Sequence, residues 1–194
     1  MATLEAHQRF FADLITMSAG VTDTRITSAF AKVPREHYLG PGPWKVFTGR
    51  GFVQTPSDDP AFLYQNLLFS LDEKRKINNG QPALHALCLA ALDIKEGNVV
   101  VHIGAGTGYY TAILAELTGT SGSIFAYEIE ESLAKRAAEN LGALPNVTVI
   151  ARSGAADPLP SCDVVYVNAG ATAPLDIWLD ALRPSGTTGL PAYS

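Results

Sequence analysis

Cysteine, basic charge and long apolar runs are all scarce in this sequence, and each shortage removes a class of function. The two cysteines, Cys88 inside an apolar helical pattern and Cys162 ahead of a strand, form neither a disulfide framework nor a metal-ligand spacing. A reducing cytoplasm is therefore the expected compartment, and no metal is expected. With 14 Lys and Arg against 19 Asp and Glu, the formal charge of -5 argues against non-specific binding to nucleic acid or a membrane surface. The longest apolar-rich stretch, Ala83 to Leu92, is broken by His85 and is too short to span a bilayer. The N-terminus lacks the basic-then-apolar order of a signal peptide. No Gly-Lys-Ser/Thr follows any glycine turn, which disfavours a nucleoside triphosphate loop. What is present is 194 residues with 47% hydrophobic content, enough for one α/β domain with a substantial core.

One stretch stands out. Val99-Val100-Val101-His102-Ile103 is a nearly continuous β-branched run, and Gly104-Ala105-Gly106-Thr107-Gly108 interrupts it before a helical pattern begins. It reads as strand, tight turn and helix, with Thr107 predicted to cap a helix carrying Ile113, Leu114 and Leu117. The glycines allow backbone to approach something bound at the strand's carboxyl end, and a turn serving only strand-to-helix packing is the competing reading. A dinucleotide fingerprint needs a third glycine or alanine where Tyr109 stands, so NAD and FAD are disfavoured. Glu128 ends the next strand twenty residues after Gly108, where this fold class places an acid on ribose hydroxyls. Glu130 and Glu131 fit the first turn of the following helix, where the dipole favours them.

Around that stretch the periodicity predicts helices over 4–17 and from Thr22 or Asp23 to Val33, stopped by Pro34. A Gly- and Pro-rich segment from Tyr38 to Asp59 reads as an ordered loop, because Trp44, Phe47, Phe52 and Val53 would be wasteful in a flexible tether. Asn78-Asn79-Gly80 reads as a turn feeding a helix from Pro82 to Leu92. Strands are predicted over 123–127, 147–151, 164–167 and 187–190, with helices over 130–141 and 174–182 between them. That alternation is a doubly wound, mainly parallel, Rossmann-like sheet with an N-terminal helical extension. By spacing alone, His85 is a packed residue in an apolar stripe, and His7, His37 and His102 form no metal or triad constellation.

Separated segments then match one family in order. Arg25-Ile26, Ala29-Phe30 and Val33-Pro34-Arg35-Glu36, followed by Gln81-Pro82, Val100 to Tyr109, Glu128, Asn146-Val147 and Asp163-Val164-Val165, resemble the protein-L-isoaspartate O-methyltransferase family. The resemblance covers nearly the whole chain and implies a class I methyltransferase fold. It implies S-adenosylmethionine as methyl donor, and a carboxylate on an altered aspartyl residue of a protein or peptide as acceptor, a small-molecule acceptor being the other choice. It organises residues 1–194 as one domain, with helices and an acceptor-side loop over 1–80 and the cofactor-binding core over 81–194. The implied cofactor residues are Asn79, Gly80, Gln81, His85, Gly104, Ala105, Gly106, Gly108, Glu128, Ser153 and Gly154, and Val53, Gln54 and Asn79 are the acceptor candidates.

Three departures accompany the match. Gly80 stands where the family has a catalytic-loop serine, His102 where it has an acid in the first strand, and Ser153 where it has the acid after the third strand. The first predicts weak or absent turnover of isoaspartyl peptides, and it leaves the catalytic residue unassigned. The third replaces a carboxylate acceptor for the adenine amine with a weaker one. A catalytically impaired paralogue that acts by binding a cofactor or by regulation is the alternative to an enzyme. The family fold continues into two more strands after the fifth, so the end at Ser194 reads as a truncated product or a divergent paralogue. The C-terminal sheet edge is then expected either to pair with a second copy or to leave a mobile tail after about Pro184.

Overall fold

Side-chain oxygens start the first two helices. In the computed structural model, which describes residues 3–156 and 158–189, Thr3 caps α1 (Leu4–Ser18) by accepting from the Ala6 N–H, and Asp23 caps α2 (Thr24–Lys32) by accepting from the Arg25 N–H. Chain contacts divide the molecule into two compact units, Met1–Leu87 and Cys88–Ser194. No helix among the described residues is long and apolar enough to cross a membrane.

In the first unit, α1 and α2 bury Phe11 and Ile15 against Ile26 and Phe30, with Phe11 and Phe30 meeting edge to face at 6.3 Å. Each such fully buried apolar side chain stabilises by about 1.5–3 kcal/mol. Pro34 does end the second helix, and it also precedes α3 (Arg35–Leu39). The loop expected over 38–59 is ordered but not without structure: β1 (Lys45–Phe47) and β2 (Phe52–Gln54) form an antiparallel hairpin inside it, carried by a cluster of Trp44, Val46, Leu63 and Phe69. A 3-10 turn over Pro60–Leu63 leads to β3 (Ser70–Asp72) and β4 (Ile77–Asn78), a second antiparallel pair. A turn at 73–76 joins β3 to β4, and at the turn expected over 78–80 Asn78 pairs in β4 while its side chain accepts from the Gly80 N–H at 2.9 Å.

Arg35 organises this unit. It is 1% exposed, and its guanidinium donates to the carbonyls of Leu63, of Gln65 at 2.8 Å and of Leu67 at 3.3 Å, flanked by the rings of Phe11 and Phe69. Its neighbour Glu36 accepts from the Tyr64 hydroxyl, which in turn accepts from Gln8 Nε2 at 2.8 Å. Burial, with the Glu36 carboxylate beside it, pushes the Tyr64 phenol well above its ordinary pKa.

The second unit follows α4 (Pro82–Leu92), which carries the chain across the boundary. It is built from β5 (Val99–Ile103), α5 (Tyr109–Thr118), β6 (Ser123–Tyr127), α6 (Glu131–Leu141), β7 (Val147–Ile150), β8 (Cys162–Val167), α7 (Asp176–Asp180) and β9 (Leu182–Gly189). The five strands are all parallel in the order β7-β6-β5-β8-β9. Winding outward from β5 in both directions creates a switch point between β5 and β8, the place where open α/β sheets bind ligands at their carboxyl ends. Asp163 fixes the opposite end of that pair: it accepts from the Val99 N–H at 2.7 Å and from Arg183 at 2.8 Å. Partial burial works against its charge, but those donors win and hold the carboxyl below the ordinary range.

Three local expectations change here. Thr107 does not cap α5: Gly108 occupies the cap position with φ 97° and no side-chain hydrogen bond, while the Thr107 carbonyl accepts from Asn140 Nδ2 at 2.9 Å. The helix expected over 174–182 shortens to α7, because Leu182 already pairs with Cys162. The strand expected over 187–190 begins at Leu182 instead, and Thr187, Thr188 and Gly189 pair with Val164, Val165 and Tyr166. Leu190 and the residues after it lie outside the described residues.

Candidate functional site

Three left-handed glycines shape the turn after β5: Gly104 at φ 79°, Gly106 at φ 58° and Gly108 at φ 97°. Two of them are also required by the protein's own packing. A Cβ on Gly104 would lie 2.9 Å from the backbone of Asn168, and one on Gly108 would lie 2.7 Å from Leu141. The packing reading of the glycine motif therefore holds at these two positions, where neighbouring chain approaches closely. The Gly104 and Ala105 N–H groups donate to the Tyr127 carbonyl at 2.9 and 3.0 Å, which ties the turn to the end of β6.

Glu128, immediately after β6, is 6% exposed and joins the turn to the start of α6. One carboxylate oxygen accepts from the Gly106 N–H at 2.6 Å and the other from the Glu130 N–H at 2.9 Å. Burial raises its pKa against the lowering pull of the Gly106 and Ile129 N–H groups. A carboxylate offers about four lone-pair positions, and the backbone donors of Gly106, Ile129 and Glu130 do not use all of them.

Beside Glu128 a cavity of about 420 Å³ opens at the carboxyl ends of the strands. Ile103, Gly104, Tyr127, Ile129, Leu175 and Trp178 line it. Arg152, Ser153 and Gly154 come from the segment after β7, and Ala169 to Ala173, from the segment after β8, close the rim. Its size lies within the roughly 300–1,000 Å³ range of small-molecule sites, and its walls are mainly apolar. Ile129 is 67% exposed, an apolar face that suits a flat ring laid against it. Gly154 is held in place by its carbonyl, which accepts from Trp178 Nε1 at 2.9 Å, and a Cβ there would lie 2.9 Å from Ile103. Ser153 accepts from the Ala155 N–H at 3.2 Å.

Of the residues expected at a cofactor, Gly104, Ser153 and Gly154 line this cavity. Glu128 and Gly106 are hydrogen-bonded to one another, whereas Ala105 and Gly108 are buried in the turn. Asn79, Gly80, Gln81 and His85 belong to the first unit. Asn79 is 7% exposed and brackets Phe69, accepting from its N–H at 2.7 Å and donating its own N–H to its carbonyl at 3.0 Å. Gly80 sits at φ 74° against the imidazole of His85: a Cβ there would lie 2.1 Å from His85 Nε2. Gln81 is exposed, with its carbonyl accepting from the His85 N–H at 3.2 Å. Val53, 50% exposed, and Gln54 present the outer strand of the first hairpin. Sequence reasoning missed Ile129, Arg152, Leu175, Trp178 and the run Ala169 to Ala173. Only Ile129 offered a signal, as an apolar residue placed between Glu128 and a helix start.

The family model of protein-L-isoaspartate(D-aspartate) O-methyltransferase matches residues 6–193. A protein-L-isoaspartate O-methyltransferase of Thermotoga maritima is 28% identical over 179 residues, which cover 89% of this chain and 51% of that protein. Protein-L-isoaspartate O-methyltransferase 1 of Archaeoglobus fulgidus is 35% identical over 171 residues, 86% of this chain and 71% of that one. A solved protein-L-isoaspartate O-methyltransferase superposes with a TM-score of 0.75 at 25% identity, covering 93% of this chain and 54% of its own. The chain thus spans about half the length of two of these relatives. A putative enzyme of the same name from Plasmodium falciparum, solved with S-adenosyl-L-homocysteine, shares the fold with a TM-score of 0.72 at 17% identity, covering 93% of this chain and 82% of its own. With the family model running through both units and the 3-2-1-4-5 strand order behind the glycine turn, the chain belongs to the protein-L-isoaspartate O-methyltransferase family.

Proposed function

We propose that this chain binds S-adenosylmethionine in the second unit and directs its methyl group to a carboxylate on an altered aspartyl residue of a protein or peptide. The observation that carries the reading is the mainly apolar cavity at the sheet's switch point, lined by Tyr127 and Ile129, the two neighbours of the buried Glu128 in the chain. Bound there, S-adenosylmethionine supplies a methyl group activated by a sulfonium. Glu128 accepts the two ribose hydroxyls while it keeps the Gly106 and Glu130 N–H groups, so binding does not have to break the turn. Ile129, Ser153 and Gly154 would border the planar base. Gly104 and Gly106 keep side chains away from the methionine end. For the first unit the support is the family match: Asn79, Gly80, Gln81 and His85 are assigned to the cofactor, and Val53, Gln54 and Asn79 to the acceptor, on that ground.

A carboxylate acceptor is already anionic at neutral pH, so its oxygen attacks without losing a proton and the chain needs no general base. Holding the two partners in line supplies the rate. Titration calorimetry with S-adenosylhomocysteine tests the binding half of the reading, and methyl transfer to an isoaspartyl peptide, compared with its aspartyl form, tests the other. Absence of any binding heat at millimolar ligand refutes the first, and equal labelling of the two peptides refutes the second.

A further inference from the structure

An indole is a large apolar ring with a single N–H donor, so a buried tryptophan needs an acceptor at one fixed point on its edge. Trp178, on α7, finds that acceptor in the other half of the sheet. Its Nε1–H donates to the carbonyl of Gly154, 24 residues earlier in the segment after β7, through a buried bond of 2.9 Å. The cavity at the switch point takes its lining from both halves: Ile103, Tyr127 and Gly154 from one, Ala171, Leu175 and Trp178 from the other. The indole therefore ties together the two sets of residues that a ligand would meet. Trp178 is 3% exposed and belongs to a buried cluster with Ile103, Tyr127 and Val167, which fixes the donor in place. Two further bonds of the Gly154 segment are local. The Arg152 N–H donates to the Ile150 carbonyl at 2.9 Å, and the Ala155 N–H donates to Ser153 Oγ at 3.2 Å. They shape the turn from within, whereas the indole sets where the turn stands on the sheet.

A segment already held in its binding form adds little ordering cost when a ligand arrives. Released, it holds that form only part of the time, and the apparent affinity falls by the same fraction. Resting on the cofactor reading above, we infer that Trp178 is a positioning residue: its indole N–H holds the segment from Arg152 to Ala155 in the form that borders the base of S-adenosylmethionine.

Two substitutions separate the hydrogen bond from the packing. Trp178→Phe keeps an aromatic ring and removes the donor. Trp178→His gives up more buried apolar surface, but an imidazole can set Nε2–H where the indole Nε1–H stands. The test is titration calorimetry of the full chain with S-adenosylhomocysteine at about pH 8, where the imidazole is neutral. The Phe variant is expected to bind about tenfold more weakly than the wild type and the His variant within about threefold of it, although His is the less stable of the two in urea. A Phe variant within about twofold of the wild type overturns the inference and leaves the cofactor reading standing. So does a His variant as weak as the Phe variant, since affinity then follows packing. Limited trypsin digestion of the ligand-free protein reads the segment directly, and it decides the matter if the His variant does not fold. Cleavage after the exposed Arg152 is expected to be at least about fivefold faster in the Phe variant, with cleavage in α6 after Lys135 and Arg136 unchanged. No acceleration after Arg152, or equal acceleration at all three positions, overturns the inference. If the wild type does not bind S-adenosylhomocysteine, the cofactor reading falls and takes the inference with it.

Discussion

His102 sits in the middle of the sheet, on β5, fully buried, with Nδ1 2.9 Å from the Thr111 hydroxyl and its ring stacked 5.3 Å from that of Tyr166. Its other ring nitrogen, Nε2, has no hydrogen-bond partner. Burial without a counter-charge favours the neutral ring and holds its pKa down to about 3, against 6.5 for an ordinary histidine. The unfolded chain therefore takes up a proton near pH 6.5 that the folded chain refuses until about pH 3. Stability from this group is complete above pH 6.5 and is lost as the pH falls through that window. At 1.36 kcal/mol per unit, lowering the pH from 7 to 5 costs about 2 kcal/mol, and the loss reaches about 4 kcal/mol at pH 3. Urea unfolding of the wild type and of His102→Asn, each at pH 7 and pH 5, isolates the effect. The variant is expected to be less stable at pH 7 but to lose about 2 kcal/mol less on acidification. Equal losses in the two proteins refute the argument, because they would show that other groups carry the acid sensitivity.

Three other expectations follow from the geometry. Arg35→Met leaves the Leu63, Gln65 and Leu67 carbonyls without their donor and should destabilise the protein by about 3 kcal/mol or more in urea titration, with Arg35→Lys recovering only part of that; an unchanged midpoint would show that water replaces the guanidinium freely. Glu128→Gln should weaken S-adenosylhomocysteine binding about 10- to 100-fold in calorimetry at unchanged helicity, and an affinity within twofold of wild type removes Glu128 from the ribose. Gly80→Ser should not raise methyl transfer and should cost about 1–3 kcal/mol in stability, since the new Cβ meets His85 Nε2 in a left-handed backbone, whereas pairing it with His85→Ala should return part of the loss. A Gly80→Ser protein as stable as the wild type would show that the imidazole moves aside.

The second unit was legible because its strands are written in local terms. Val99 to Ile103 and Val164 to Val167 are apolar on both faces, and Glu128 stands at a spacing the fold itself fixes. Errors there came from competition at element ends: Gly108 takes the cap position from Thr107, and Leu182 enters β9 before α7 can reach it. The first unit was hidden for a different reason. β1 to β4 are two or three residues long, and their positions depend on partners far along the chain, such as Phe69 bridging to Val46 and Asn79 bracketing Phe69. The cavity rim was invisible because Ala169 to Ala173 contribute backbone and small side chains, which carry no chemical signature.

Val33-Pro34-Arg35-Glu36 is one of the segments that carry the family resemblance, and its arginine touches backbone carbonyls rather than any reacting group. A loop whose carbonyls converge on one cation resembles the ion-binding loops of metalloproteins, except that the chain brings its own ion, covalently attached. No chelator removes it and no change in ionic composition empties it. The segment from Leu63 to Leu67 is in that sense permanently loaded, and its shape is set when the chain folds rather than by what the surrounding solution contains.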